Sequence, residues 1–180
     1  HLCDRRQRQM CIRDRNTKLE AMKKTIARLP LVYQVTFSGA VPGEEVATFL
    51  SNRRTNDALK QNRLYEMLAC DPDYVDAYGL QVVAGRNFSE DYGDDVDKLV
   101  INETAVRNLG FTSNDEAIGE LVTVECTDAP MQIIGVVKDY HQQALSKNYT
   151  PIMLIHKDKI DWLPQRYICL LYTSDAADDR

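Results

Sequence analysis

MQIIGVVKDY, residues 131–140, holds Ile133, Ile134, Gly135, Val136 and Val137 in one unbroken apolar run. Such a run fits a strand covered on both faces, so it predicts the central strand of a sheet. ELVTVE (120–125) reads as its neighbour across the TDAP turn at 127–130. Upstream, KLVINETAVRNLGF (98–111) gives a strand, an Asn102 helix cap, a helix with Ala105, Val106 and Leu109 turned inward, and Gly110 as its stop. NDEAIG (114–119) is a brief helical turn. TPIMLIH (150–156) is a further strand, and QRYI (165–168) begins another.

Working back towards the start, DPDYVDAYG (71–79) predicts a short helix. Asp71 is expected to accept hydrogen bonds from first-turn amides, Pro72 to take the first helical position and Gly79 the left-handed cap. LQVVAGRNFSEDYGDD (80–95) follows as a strand and an acidic loop. EVATFLS (45–51) and NRLYEMLAC (62–70) read as strands separated by the polar TNDALKQ (55–61). LVYQVTF (31–37) is a strand that runs into SGAVPGEE (38–45), a loop marked by Gly39, Pro42 and Gly43. NTKLEAMKKTIARLP (16–30) is an amphipathic helix with Leu19, Met22, Ile26 and Leu29 on one face and Pro30 as its stop. Strands and helices mix without a strict βαβ repeat or an internal period. The expected class is α+β, a single compact mixed α/β domain with room for two lobes.

The two ends read differently. One permitted back-translation of RRQRQMCIRDR (5–15) has a reverse complement that, one frame over, spells CLLYTSDAAD (169–178). Unrelated ends of a natural protein have no reason to encode opposite strands of one DNA segment, whereas a DNA adapter ligated in both orientations must. Residues 1–15 and 169–180 are therefore expected to be adapter-derived and are set aside from fold reasoning. Residues 16–168 are expected to be the domain proper, and adapter residues Cys169–Tyr172 to extend the last strand by accidental β propensity.

That division reshapes the composition. Of five cysteines in 180 residues, Cys3, Cys11 and Cys169 fall in the adapter, leaving Cys70 and Cys126. Two buried free thiols are expected there in preference to a disulfide, and no metal-ribbon spacing remains. The arginine-rich start is adapter too, and the formal net charge is −5, so nothing electrostatic points to nucleic acid. No apolar run reaches the roughly 20 residues of a membrane span.

Candidate chemistry is sparse. His141 lies beside Tyr140 and Asp139, but neighbours on a strand end point different ways, and a metal site needs three or four convergent ligands. The reading favoured is a structural turn in which His141 and Gln142 hydrogen-bond nearby backbone. SGAVPGEE lacks phosphate-loop spacing and lysine, and its Glu44 and Glu45 would repel a phosphate. Ser38 stands outside the nucleophile-elbow pattern. Glu90, Asp91, Asp94 and Asp95 do not match a calcium loop and read as a solvated turn. No catalytic, cofactor or metal site is expected.

Several stretches, in order, resemble one family: VTFSGAVPGEE, DPDYVDAYGLQVVAGRNFSED, LVINETAVRNLGF, EAIGELV, MQIIGVVKDYHQQAL and TPIML are similar to the extracytoplasmic core domain of FtsX-like permeases, the MacB-like ABC transporter subunits. The likeness is nearest to permeases with two such domains and no fused ATPase. In its AGRNF stretch, Gly85 is expected to permit the turn out of a strand, Arg86 to tether the loop and Phe88 to plug the edge of the core. In EAIG, Ile118 is expected to anchor the helix and Gly119 to release the chain. Pro42 and Gly43 shape a loop, Pro151 starts an edge-compatible strand, and Gly135, Asp139 and His141 complete the structural motif.

The resemblance implies a non-catalytic domain on the periplasmic side of the bacterial inner membrane, within a full-length membrane-embedded permease. It implies a cytoplasmic ABC ATPase as partner, a second permease copy or half, and room for a periplasmic adaptor; nucleic acid is not among the partners. ATP-driven closure would be relayed to the outer domains for export or mechanotransmission. The alternative is a scaffold or regulatory module that engages a cell-envelope enzyme or adaptor without moving solute. A stand-alone enzyme using Asp139, His141 or Ser38 is the third reading.

Overall fold

The computed structural model describes residues 20–30, 32–58, 61–92, 95–143, 146, 148–160, 163 and 166–171. The chain divides into two units, Phe37–Arg166 and a second made of His1–Thr36 with Tyr167–Arg180. The strands are β1 (Val32–Ser38), β2 (Phe49–Arg54), β3 (Arg63–Cys70), β4 (Val82–Gly85), β5 (Lys98–Asn102), β6 (Leu121–Thr123), β7 (Met131–Val137), β8 (Ile152–His156) and β9 (Arg166–Leu171). Helix α1 covers residues 20–26; α2 (Asp73–Ala77), α3 (Glu103–Asn108) and α4 (Asn114–Ala117) follow.

Within Phe37–Arg166 the strands run β2-β6-β7-β5-β8-β3, and β2 also pairs β3, so the ladder returns to its start. β4 lies along the second half of β7, where Gly85 faces Gly135. The pairs β5–β7 and β3–β8 are parallel, and the others in this unit antiparallel. The central place of β7 follows from its apolar run: Ile133 and Val136 enter one core with Met67, Leu99, Ile101 and Met153. Ile134 and Val137 enter the other with Leu68, Val100 and Leu154. Adjacent residues of one strand serve opposite faces, and here both faces are covered, so no polar position interrupts the run. Helices α3 and α4 close the first core through Ala105, Val106 and Ala117, while α2 closes the second through Tyr74 and Val75.

Several expectations need correction. β2 begins at Phe49 rather than Glu45 and continues to Arg54, because Arg53 and Arg54 find a ladder partner in β6 that no local pattern announces. Pro151 precedes a strand that lies between β5 and β3, away from any edge; the ladder starts one residue later at Ile152, so the missing N–H costs nothing. The cap position of α2 is Pro72 rather than Asp71, and the Tyr74 amide donates to the Asp71 backbone carbonyl. Cys126 is exposed, unlike the buried Cys70, because it occupies the β6–β7 turn with φ 71°. Both thiols are free.

In the second unit α1 stops at residue 26, and a turn carries the chain to β1 through Leu29 N–H to Ile26 O and Val32 N–H to Leu29 O. Leu19 lies outside the described residues, and Met22 and Leu29 are exposed. β9 is the neighbour of β1 and extends through Leu171; Tyr172 lies outside the described residues.

Candidate functional site

The stretches that carry the resemblance converge on β7 and the turn after it. Where β4 ends, the backbones of Gly85–Arg86 and Ile134–Gly135 meet with no room for a side chain at either glycine. The Arg86 amide donates to Ile134 O at 2.9 Å, and Gly85 turns away with φ +67°. β7 is bulged at this point: Leu99 faces Ile133 but Val100 faces Gly135, leaving Ile134 as the extra residue. The bulge turns a carbonyl towards the departing loop, and glycine at both positions lets the chains approach.

Arg86 then holds the acidic loop. Its guanidinium grips Asp95 with two parallel bonds, Nη1 to Oδ2 at 2.7 Å and Nη2 to Oδ1 at 2.8 Å, and also donates to Asn87 O. The Ser89 amide adds a third bond to Asp95, and the Tyr92 ring lies 4.4 Å beneath the guanidinium. The hydrogen bonds from Arg86 hold the Asp95 carboxyl below the usual carboxylate range, against the opposing effect of its burial. Asp95 is thus a structural anion. Asp94 and the Glu90 side chain lie outside the described residues. Phe88 is buried in the second core, edge-on to the His156 ring at 6.0 Å.

After β7, Asp139 reaches the start of α3. It accepts from the Thr104 amide at 2.8 Å, the Thr104 hydroxyl at 2.9 Å and the Arg107 guanidinium at 2.7 Å. Asn102 caps the same helix from within, taking the Ala105 amide at 3.0 Å while its Oδ1 also accepts from Ile152 N–H of β8. Two free amides of the first turn are therefore satisfied by two side chains, one local and one distant.

Three residues beyond Asp139, Gln142 is buried and pins the Pro42–Gly43 loop. Its Nε2 donates to Val41 O at 2.8 Å and Glu44 O at 3.2 Å, and its backbone carbonyl accepts from Gly43 N–H. The backbone hydrogen bonding expected of both His141 and Gln142 is thus made by Gln142. His141 instead lays its ring against Tyr149 at 4.5 Å. Nearby, Cys70 and Tyr74 are buried and the hydroxyl of the partly buried Tyr140 is enclosed, which pushes all three acid constants up and leaves an inert thiol and two neutral phenols.

Ser38 is fully buried and closes a local turn, donating to Ala40 O and accepting from Ala40 N–H. Asp139 is committed to α3 and His141 to Tyr149, so these three make no nucleophile–base–orienter chain. Ile118 lies half-buried on the first core, and Gly119 turns out of α4 with φ +86°, its amide donating to Ile133 O. Among the described residues no cluster of His, Cys, Asp or Glu could hold a metal ion, and no helix is long and apolar enough to cross a membrane. Sequence reasoning missed Asp95 as the Arg86 partner, Thr104 and Arg107 as partners of Asp139, and the Arg54 clamp over Phe111. An arginine and an aspartate bracketing one loop was the available signal for the first.

The MacB-like periplasmic core domain model matches residues 12–178, which takes in residues 12–15 of the first stretch read as adapter and most of the second, 169–178. No curated protein matches the chain. The fold is similar to the periplasmic region of MacB from Actinobacillus actinomycetemcomitans, at 17% identity and TM-score 0.55, with 86% of this chain and 66% of that chain covered. It is also similar to the extracellular domain of the noncanonic ABC-type transporter YknZ from Gram-positive bacteria, at 16% identity and TM-score 0.60, with 85% and 72% covered. The chain thus spans about two thirds of the length of the MacB region. With the family model covering almost the whole chain, and the fold shared, the protein belongs to the MacB-like periplasmic core domain family of ABC transporter permeases.

Proposed function

We propose that this domain is a rigid force-bearing body without chemistry of its own, coupling ATP hydrolysis by a cytoplasmic ABC ATPase to export or mechanotransmission across the bacterial inner membrane. The observation that supports this best is the convergence of three loop anchors on one strand and its extension. Arg86 is tied at Ile134, Asp139 at the α3 N-terminus, and Gln142 at the Pro42–Gly43 loop. A displacement applied at any of these loops is handed to β7, which is hydrogen-bonded to β4, β5 and β6. A second permease copy or half and a periplasmic adaptor would be the bodies moved against.

The test uses the full-length permease with its ATPase and pairs of spin labels. ATP is expected to change distances between this domain and its counterpart while distances between β3 and β7 stay fixed. Transport that survives deletion of the domain would overturn the reading, as would equal ATP-driven changes inside and between domains.

Phe49 and Leu64, both exposed on β2 and β3, support a second role as a docking module for a cell-envelope enzyme or adaptor. Under that reading the isolated domain retains the partner, and the full-length permease shows no ATP-dependent transport.

Residues 1–15 and 169–180 are adapter-derived under the same proposal, leaving 16–168 as the native domain. The test is to sequence the source gene by a route that ligates no adapter; a native gene encoding RRQRQMCIRDR would sink the idea.

A further inference from the structure

The β2–β3 hairpin and the C-terminal end of α3 enclose a cleft of about 300 Å³ that none of the loop anchors uses. Arg53, Arg63, Tyr65, Asn56 and Asn108 line it. Tyr65 is only 1% exposed, yet its hydroxyl makes no hydrogen bond with any described residue. Arg53 is in the same condition at Nε, which is buried without a partner, although its Nη1 reaches Asn62 Oδ1 at 3.2 Å. A buried guanidinium N–H left open beside a cleft is costly unless a ligand completes it, and the unbonded Tyr65 hydroxyl, not itself sealed from solvent, belongs to the same lining.

The other charges show which sign of ligand fits. Arg54 also lines the cleft but is committed to Glu120 at 2.9 Å and to the Phe111 ring, so it is structural. Arg63 gives one N–H to the Asn108 carbonyl, where it offsets the negative end of α3, and keeps its remaining donors. Asp57 is the single carboxylate among the described lining residues, and it accepts the Gln61 amide at 3.2 Å. Two guanidinium groups with open donors therefore face one occupied carboxylate.

We propose that this cleft binds the oxyanion group of a small polar molecule, a phosphate or a carboxylate, on Arg53, Arg63 and the Tyr65 hydroxyl. Planar guanidinium donors suit both groups, and charge-assisted bonds in a partly enclosed site are the strong ones. The volume lies at the small end of ligand sites, which run from roughly 300 to 1,000 Å³. Burial holds the Tyr65 acid constant up at about 12, against the opposing pull of Arg63, so the phenol remains a donor at neutral pH. The inference stands on this cleft alone and survives or fails independently of the permease reading.

The test titrates the whole chain with inorganic phosphate and, separately, with succinate at constant ionic strength, following arginine side-chain and Tyr65 resonances; chloride is the control. Saturable shifts confined to Arg53, Arg63 and Tyr65 are expected with at least one probe, and the tighter of the two identifies the source of the oxyanion. Tyr65→Phe, which keeps the ring, should weaken binding roughly tenfold, the loss expected for one hydrogen bond to a charged group. Arg53→Gln should weaken it by a similar factor, giving a second variant clear of the α3 cap. Absence of saturation with both anions, an equal response to chloride, or unchanged affinity in both variants overturns the proposal.

Discussion

Gly135 and Arg86 meet through backbone alone: a Cβ added at Gly135 would lie well inside 3.0 Å of the Arg86 carbonyl oxygen, a separation real Cβ atoms do not show. The atom in the way is main chain, held by the Arg86–Ile134 bond, so no side-chain rotation relieves it. Gly135→Ala is expected to cost at least about 3 kcal/mol, the upper range for overpacking. Gly85→Ala meets Ile134 O in the same way at positive φ and should cost as much. Urea unfolding of the two variants is the check; either one within about 1 kcal/mol of the parent would show that the crossing relaxes freely.

Asp95 makes the acid stability of the domain readable. Its folded acid constant lies below the unfolded value near ~3.9, so its stabilisation is fully present above that value and is lost as pH falls through the folded one. Asp95→Asn should destabilise by about 2 kcal/mol at neutral pH, the order of a charged hydrogen bond, with the difference from the parent shrinking below about pH 4. Thermal unfolding across pH 2–7 in both proteins, ~0.1 M salt throughout, measures it. A difference independent of pH would mean that the loop, not the charge, holds Asp95 in place.

The start of α3 has two caps of different origin. Asn102→Ala should cost about 1–2 kcal/mol as an ordinary cap loss, and more because Ile152 N–H loses its acceptor as well. Asp139→Ala removes the bonds to Thr104 and Arg107 and should cost about 1–3 kcal/mol. His141→Ala, which loses only a ring contact, should cost about 0.5–1.5 kcal/mol and leave the activity of the full-length permease intact. Loss of activity at normal stability in that last variant would restore the enzymatic reading.

Gln142→Ala strands two loop carbonyls at Val41 and Glu44. Destabilisation by about 1–3 kcal/mol is expected, with faster hydrogen exchange at the amides of residues 41–45. Exchange confined to the β7 end, with the loop still protected, would place the anchor elsewhere.

What the sequence reveals is set by the range of each interaction. Asn102 as a cap and Gly79, Gly110 and Gly119 at positive φ are legible, because each solves a backbone problem posed by its immediate neighbours. The central strand is legible because burial on both faces leaves its mark on every residue of 133–137. Arg86 is legible as a tether, yet its partner lies nine positions on, across a loop whose path no local rule fixes. The Asp139–Thr104 bond spans 35 positions and exists only because β5 and β7 are parallel neighbours, which carries the start of α3 to the end of β7. The second half of β2 and the open hydroxyl of Tyr65 are likewise products of assembly.

The parallel pairing of β3 with β8, which sets Met67 beside Met153 and Leu68 beside Leu154, governs the order in which this domain can form. Closing so long an intervening chain carries an entropic cost before any of these contacts is gained, and parallel pairing over long separations is intrinsically slow. During synthesis the first half, with β3 and its apolar residues already made, must wait for β8 to emerge before the edge of β3 that takes it is paired. Until then β3 is an open edge capable of pairing with the wrong chain, so the domain's most vulnerable interval is the one before residue 156 arrives.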